Sequence, residues 1–407
     1  MVLPRRSQRR LGDALRNHRP LRNSVIQVIY LIPAVVLGFV LPRIGVDPRV
    51  DGGAVATMLF ATGSGVIGFV GVVYSLLFLV VQFGTTTYTP RLNLFRDSPL
   101  VWHAFAFYIG VVVFSITAGF VASTRDEVSA VVPTASVATL VGALWLFAAL
   151  QSRAFAAIQL AALLDQVTSR GHAVIGGVYP DSRPATPSEP DLDPRHTLGT
   201  SAGRETEVVL KRPWGIIQSI DVVNLIALAE FDDAVIQTTL VNGATAFRGE
   251  PYAHIYGGGD STAQGVEQAF IFGAERTFDQ DPGLALRVLA DIALKALSAA
   301  INDPTTAVQA LDGTESILRD LAGRDLDIRR FEGAGGELRV ILAVPTWEQF
   351  VGVALDEVIG LSPISVQVQN RLHRLFDNLA RAIPPERWPA LQERSQRFER
   401  LTASQPR

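Results

Sequence analysis

Ser64, Tyr74, Ser75, Gln82, Thr85, Thr86, Thr87 and Thr89 place a file of hydroxyl and amide groups in a stretch with no Asp, Glu, Lys or Arg from Ala54 to Pro90. Hydroxyls, carbonyls and apolar constrictions suffice to line an ion pathway, which needs no fixed charge in its wall. The same residues also read as packing surface, with Thr85–Thr89 as an interfacial turn ended by Pro90. Gly63-Ser64-Gly65-Val66-Ile67-Gly68 matches a dinucleotide fingerprint by letters alone. That fingerprint requires a preceding strand and a helix N-terminus aimed at pyrophosphate. Here it lies inside a long apolar run whose backbone donors are already used. Instead, Ala61/Gly65 and Gly71/Ser75 form small-xxx-small pairs, and Ser64 and Gly68 continue the stripe. Small residues let helices approach closely, either within one subunit or around a pore or symmetry axis.

A second polar cluster, Asn302, Asp303, Pro304 and Thr305 with Thr306 and Gln309, sits where a helix should start. Such a terminus can hold an anion. An Asp before Pro is also the signature of an N-cap, and that cap already supplies the negative charge. Gly257-Gly258-Gly259-Asp260 lacks the Lys-Ser/Thr of a phosphate loop and reads as a turn. The six histidines show no metal-ligand spacing, and Asp232-Asp233 reads as solvated. No Ser-His-Asp arrangement stands out and there is no cysteine. Accordingly no catalytic, cofactor-binding or metal residue is assigned, and an enzyme is not expected.

The chain has 407 residues, 48% hydrophobic and 18% charged, with net charge −3. The apolar excess is concentrated in residues 24–164, so a membrane half and a soluble half are averaged together. The charge balance gives no reason to expect nucleic acid as a partner. Absence of cysteine excludes disulfides and thiolate metal sites. Lys211 and Lys295 are the only lysines.

Four spans are expected: about Ser24–Leu41, the Ala54–Val81 run, about Val101–Ala122 and about Val131–Leu150. At 1.5 Å per residue the second makes a helix of roughly 40 Å, longer than a roughly 30 Å hydrocarbon core, and the rest of the chain is organised around it. A turn is expected at Gly84 and another at Arg125-Asp126-Glu127. Residues 1–23 carry seven arginines, Arg5, Arg6, Arg9, Arg10, Arg16, Arg19 and Arg22, against Asp13 alone. With arginines also after spans two and four, the positive-inside rule puts both termini in the cytoplasm.

The expected organisation is a basic segment (1–23), a four-helix transmembrane domain (24–152), and a helical extension with a Pro-rich linker (153–207). A small β-rich module (208–262) and a mainly helical α+β region (263–407) follow. Strand character is read in VVLKRPWGIIQSIDV, AVIQTTLV and PYAHIYG, with a short helix NLIALAEF between the first two. Helices are read after Asp281-Pro282 and Asp303-Pro304, and over Trp347–Ile359, Val366–Ala382 and Trp388–Leu401, with a strand at Glu337–Val344. The fold class is thus a membrane all-α four-helix domain followed by an α+β cytoplasmic domain.

LVVQFGTTTYTPRLNLF (Leu79–Phe95) together with LALRVLADIALKALSAAINDPTTAVQALD (Leu284–Asp312) resembles a bacterial family of predicted membrane proteins known as domain of unknown function 2254. The resemblance implies four membrane helices plus a cytoplasmic domain, and it brings no activity or substrate. Ala299 stands where the family pattern has proline, and Asn242-Gly243-Ala244-Thr245 where it has a Gly-Asp-Phe-Val-like turn.

The functional expectation is a homo-oligomeric channel, or channel-like conductance, in a bacterial inner membrane. Lipid bilayer and further copies of the chain are its partners, its small-molecule or ion ligand is unknown, and it has no cofactor. The alternative is a membrane-anchored sensing or scaffolding module.

Overall fold

The computed structural model describes residues 19–87, 99–181, 194, 205–362 and 365–403. It divides into two compact units, 1–159 and 160–407.

The first unit is built from α1 (Arg19–Val40), α2 (Gly52–Thr87), α3 (Pro99–Ser123) and α4 (Val131–Ile158). All four are long and apolar enough to cross a membrane. The organising helix is α3, not the second span. More than half of its apolar window is buried, far more than in the other three, and α1, α2 and α4 all pack on it. The reason lies in side-chain size along α3. Ala104, Ala106, Ala118 and Ala122 are fully or nearly fully enclosed, so neighbours come close on several sides. On α1, a Cβ at Gly38 would fall 1.8 Å from Thr117 Oγ1. Between them, α2 and α4 enclose the large side chain of Tyr108, whose hydroxyl donates to the Ala143 carbonyl at 3.2 Å.

Two further departures from the sequence reading concern the ends of α2. The helix passes through Gly84 and continues to Thr87. A lone glycine costs a helix only about 1 kcal/mol, and proline arrives only at Pro90. At its start, β1 (Arg49–Asp51) pairs antiparallel with β2 (Glu127–Ser129), so Glu127 belongs to a strand and not to a tight turn. Asp51 Oδ2 accepts from Ala54 N at 2.6 Å and caps α2, while Gly52 N donates to Asp126 O at 2.9 Å.

The second unit begins at α5 (Leu160–Val178), which buries Leu163, Leu164, Val167, Gly171, Val174 and Ile175 within that unit. The sequence reading makes it part of a helical extension outside the folded region. Its apolar face instead completes a helical bundle with α8 (Gly283–Ala296) and α9 (Pro304–Ala322). Helix α8 is buried on nearly every side. Only Arg287, Asp291, Leu294 and Lys295 reach partial exposure, with Arg287 paired to Asp291 at 2.7 Å. Around it pack α10 (Trp347–Leu361) and, against α9, α11 (Val366–Ala382); α12 (Trp388–Ala403) rests on α10 and α11.

The β region contains β3 (Glu205–Val209), β4 (Trp214–Ile220), β5 (Ala234–Thr238), β6 (Thr245–Phe247), β7 (Pro251–Gly257) and β8 (Phe270–Gly273), with β9 (Arg330–Glu332) and β10 (Leu338–Ile341) added from beyond α9. One sheet runs β3-β7-β5-β10-β9 and a second β6-β4-β8. Both feed one core, shared with α6 (Val222–Phe231) and α7 (Asp260–Ala269). Strand β10 lies parallel to β5 with Val340 opposite Ile236, so the segments read from sequence as separate modules share a sheet. Strands β6, β8 and β9 and helix α7 are not among the elements read from the sequence.

Candidate functional site

The residues singled out on α2 do not pack inside the unit. Ser64, Gly65, Gly68, Gly71 and Ser75 are all exposed. A Cβ added at Gly65, Gly68 or Gly71 would meet nothing within 4 Å, whereas at Gly63 it would lie 3.3 Å from Ser115 Cβ. The packing edge of α2 is therefore Gly63, Val66, Val73 and Leu77, and the small-residue stripe lies off it. Packing within the unit, one of the two sequence readings, does not account for the stripe. Gln82 is exposed, and Thr85, Thr86 and Thr87 form the last helical turn, with Thr89 outside the described residues.

Asn302, Asp303, Pro304 and Thr305 form the expected helix start. Asp303 Oδ1 accepts from Thr306 N at 3.1 Å and Oδ2 from the Thr306 hydroxyl, which holds the carboxyl below its usual range. Asn302 adopts φ 48°, the left-handed conformation that asparagine tolerates. Its amide and that of Asp303 close back on Ser298 O and Ala296 O. The cluster is thus spent on ending α8 and starting α9.

One arrangement was invisible in the sequence. On α5, His172 places Nδ1 2.6 Å from Asp320 Oδ2 and Nε2 3.0 Å from Ser316 Oγ. Ser316 and Asp320 lie one turn apart on α9. Close helix approach brings them to the histidine. A Cβ at Gly171 would come within 2.8 Å of Ile317 Cδ1, and one at Gly313 within 2.7 Å of Thr168 Oγ1. Asp320 is held from its other oxygen by Arg324 Nε at 3.0 Å. Sequence offered only the i, i+4 spacing of Ser316 and Asp320, which is common on any polar helix face.

Ser316 borders an open groove of about 620 Å³ between α9 and α11, lined also by Val308, Asp312, Glu315, Arg319, Arg371, Arg374 and Asn378. Arg371 is 6% exposed; its Nε binds Asp312 Oδ1 at 2.6 Å and its Nη2 binds Glu315 Oε2 at 2.8 Å. Its Nη1 is buried without a partner among the described residues. Arg319 pairs with Glu315 at 2.7 Å, which leaves Arg374 as the lining cation with no ion pair among the described residues. Among those residues no group of His, Asp and Glu is placed to hold a metal.

Residues 23–378 match the family described as "Predicted membrane protein (DUF2254)". An uncharacterized protein of Mycobacterium tuberculosis (strain CDC 1551 / Oshkosh) is 27% identical over 367 residues, covering 82% of this chain and 66% of that protein. Uncharacterized proteins of Mycobacterium bovis and of M. tuberculosis strain H37Rv are each 27% identical over 359 residues, with the same two coverages. The chain thus spans just under two thirds of the length of these relatives. No solved structure matches.

Proposed function

The chain belongs to the DUF2254 family of predicted membrane proteins, and from that premise we propose that it assembles as a homo-oligomeric channel or channel-like conductance. The observation carrying this reading is the stripe Ser64, Gly65, Gly68, Gly71 and Ser75, exposed on α2 with open space over its glycines. In a bilayer, helix association rests on close packing and interhelical hydrogen bonds. A smooth small-residue face left unused inside the subunit supplies such a surface to neighbouring copies. The polar groups of that face, with Gln82 and the Thr85–Thr87 turn, would then border the axis. No ionisable side chain is needed for conduction of this type, whereas coupled transporters usually carry intramembrane carboxylates or histidines. The second unit would assemble the ring or sense a ligand, with both termini in the cytoplasm of a bacterial inner membrane.

The absence of native cysteine makes the test direct. Single Ser64→Cys and Gly68→Cys variants in native membranes should give disulfide-linked dimers under mild oxidation, and the reconstituted protein should give unitary currents. A strictly monomeric particle that stays electrically silent in bilayers overturns the proposal. A second reading, a membrane-anchored sensing module without conductance, is favoured by the groove between α9 and α11. It would be supported if the four spans could be exchanged for an unrelated anchor without phenotype.

A further inference from the structure

We propose that Ser316, His172 and Asp320 form a nucleophilic serine site that hydrolyses anionic esters bound in the groove between α9 and α11. The proposal is independent of conductance.

The atom assignments follow from hydrogen-bond complementarity. A carboxylate only accepts, so His172 Nδ1 at 2.6 Å from Asp320 Oδ2 carries the proton. In the neutral imidazole Nε2 then keeps its lone pair and accepts from the Ser316 hydroxyl at 3.0 Å. This is the geometry in which an imidazole acts as general base toward a serine. A mid-helix serine or threonine commonly turns its hydroxyl back onto the carbonyl four residues earlier. Thr314 on the same helix does so, donating to Ala310 O at 3.0 Å. Ser316 reaches His172 instead. Asp320 touches no substrate; it is a positioning residue, itself held by Arg324.

The reaction balances with water as the sole co-reactant. As Ser316 Oγ bonds to the acyl carbon, its proton passes to His172 Nε2; the ester C–O bond breaks and the leaving oxygen takes that proton. Water, deprotonated by Nε2, then attacks the acyl-serine, releasing the acid and restoring the Ser316 hydroxyl. The backbone N–H groups around Ser316 are spent in α9, so the oxyanion would be met by a side-chain donor across the groove, Asn378. Loss of one preorganised donor costs about 100- to 1000-fold in kcat, so turnover should be slow. The acidic character of the substrate follows from charge. Arg319 and Arg371 are neutralised by Glu315 and Asp312, and Arg374 is left for a carboxylate or phosphate on the ester.

The test uses the full chain in detergent and a fluorophosphonate probe, which records one covalent event and does not depend on turnover. Peptide mapping should find the adduct on Ser316, absent in Ser316→Ala and slowed about a hundredfold in His172→Asn. Asp320→Asn should slow it as well while Asp320→Glu restores most of the rate, which a merely structural role would not predict. Each variant's thermal unfolding is followed in parallel. Folded wild-type protein that gives no Ser316 adduct under excess probe overturns the site, as does a rate unchanged in folded His172→Asn. For substrate class, the Ser316-dependent rate (wild type minus Ser316→Ala) should be roughly fivefold higher for 4-nitrophenyl hydrogen adipate than for 4-nitrophenyl hexanoate, with the preference lost in Arg374→Ala. Equal Ser316-dependent rates overturn the anionic assignment.

Discussion

Thr168 and Gly313 meet across the contact of α5 with α9 so closely that a Cβ on residue 313 would sit 2.7 Å from the Thr168 hydroxyl oxygen. One turn along, Gly171 faces Ile317 and Ala285 in the same way. These two absences of side chain set the interhelical distance, and that distance puts His172 within hydrogen-bonding reach of both Ser316 and Asp320.

Gly171→Ala should therefore destabilise the second unit by about 1–3 kcal/mol through overpacking. A denaturant titration followed by far-UV circular dichroism in detergent measures it. Fluorophosphonate labelling of Ser316 should fall in the same variant, because the added methyl wedges α5 away from α9.

Arg371 is buried between Asp312 and Glu315, and Glu315 is itself 7% exposed. Arg371→Leu should cost about 1–3 kcal/mol, since Glu315 Oε2 loses its buried partner while Arg319 still holds Oε1. Adding Glu315→Leu should return much of the loss. A double-mutant cycle in chemical denaturation tests both statements.

Asp303 has its folded-state pKa lowered, chiefly by the Thr306 hydroxyl and then by the Thr306 amide. A lowered carboxylate contributes stability that is present above its unfolded pKa and lost as pH falls through the folded value. Asp303→Asn keeps a capping oxygen but removes the charge. The stability gap between wild type and variant should then be open at neutral pH and close on acidification below the usual aspartate range. Equilibrium unfolding across that range reads it out.

Three glycines of the first unit should behave oppositely. At Gly52 a Cβ would lie 2.1 Å from the Arg125 carbonyl oxygen, a backbone atom that cannot swing aside, so Gly52→Ala should prevent normal packing. Gly65→Val and Gly68→Val meet nothing within 4 Å and should leave the monomer's thermal stability nearly unchanged while abolishing the proposed oligomer. Size-exclusion chromatography with thermal melts separates the two outcomes.

Much of this architecture was legible because its signals are local. The uncharged runs of the four spans, the Asp303-Pro304 start and the β-branched run in Ala234–Thr238 each act over a few residues. What escaped depends on distant partners. Strands β1 and β2 are three residues each and exist only as a pair. The hub role of α3 comes from which neighbours surround it, and its own sequence is no more apolar than that of α1. The stripe on α2 was visible as composition, but its direction depends on where α3 and α4 dock. His172 gave no sign of its partners because they lie 144 and 148 residues away.

The parallel seat of β10 beside β5 carries a consequence for synthesis. Until Leu338–Ile341 leaves the ribosome, one edge of β5 stays unfilled while all of α8 and α9 has already emerged. An unpaired strand edge invites pairing with other chains. A nascent chain truncated between Thr238 and Leu338 should accordingly be a better target for holdase chaperones than one released after Leu342, a difference that ribosome-arrested lengths would expose.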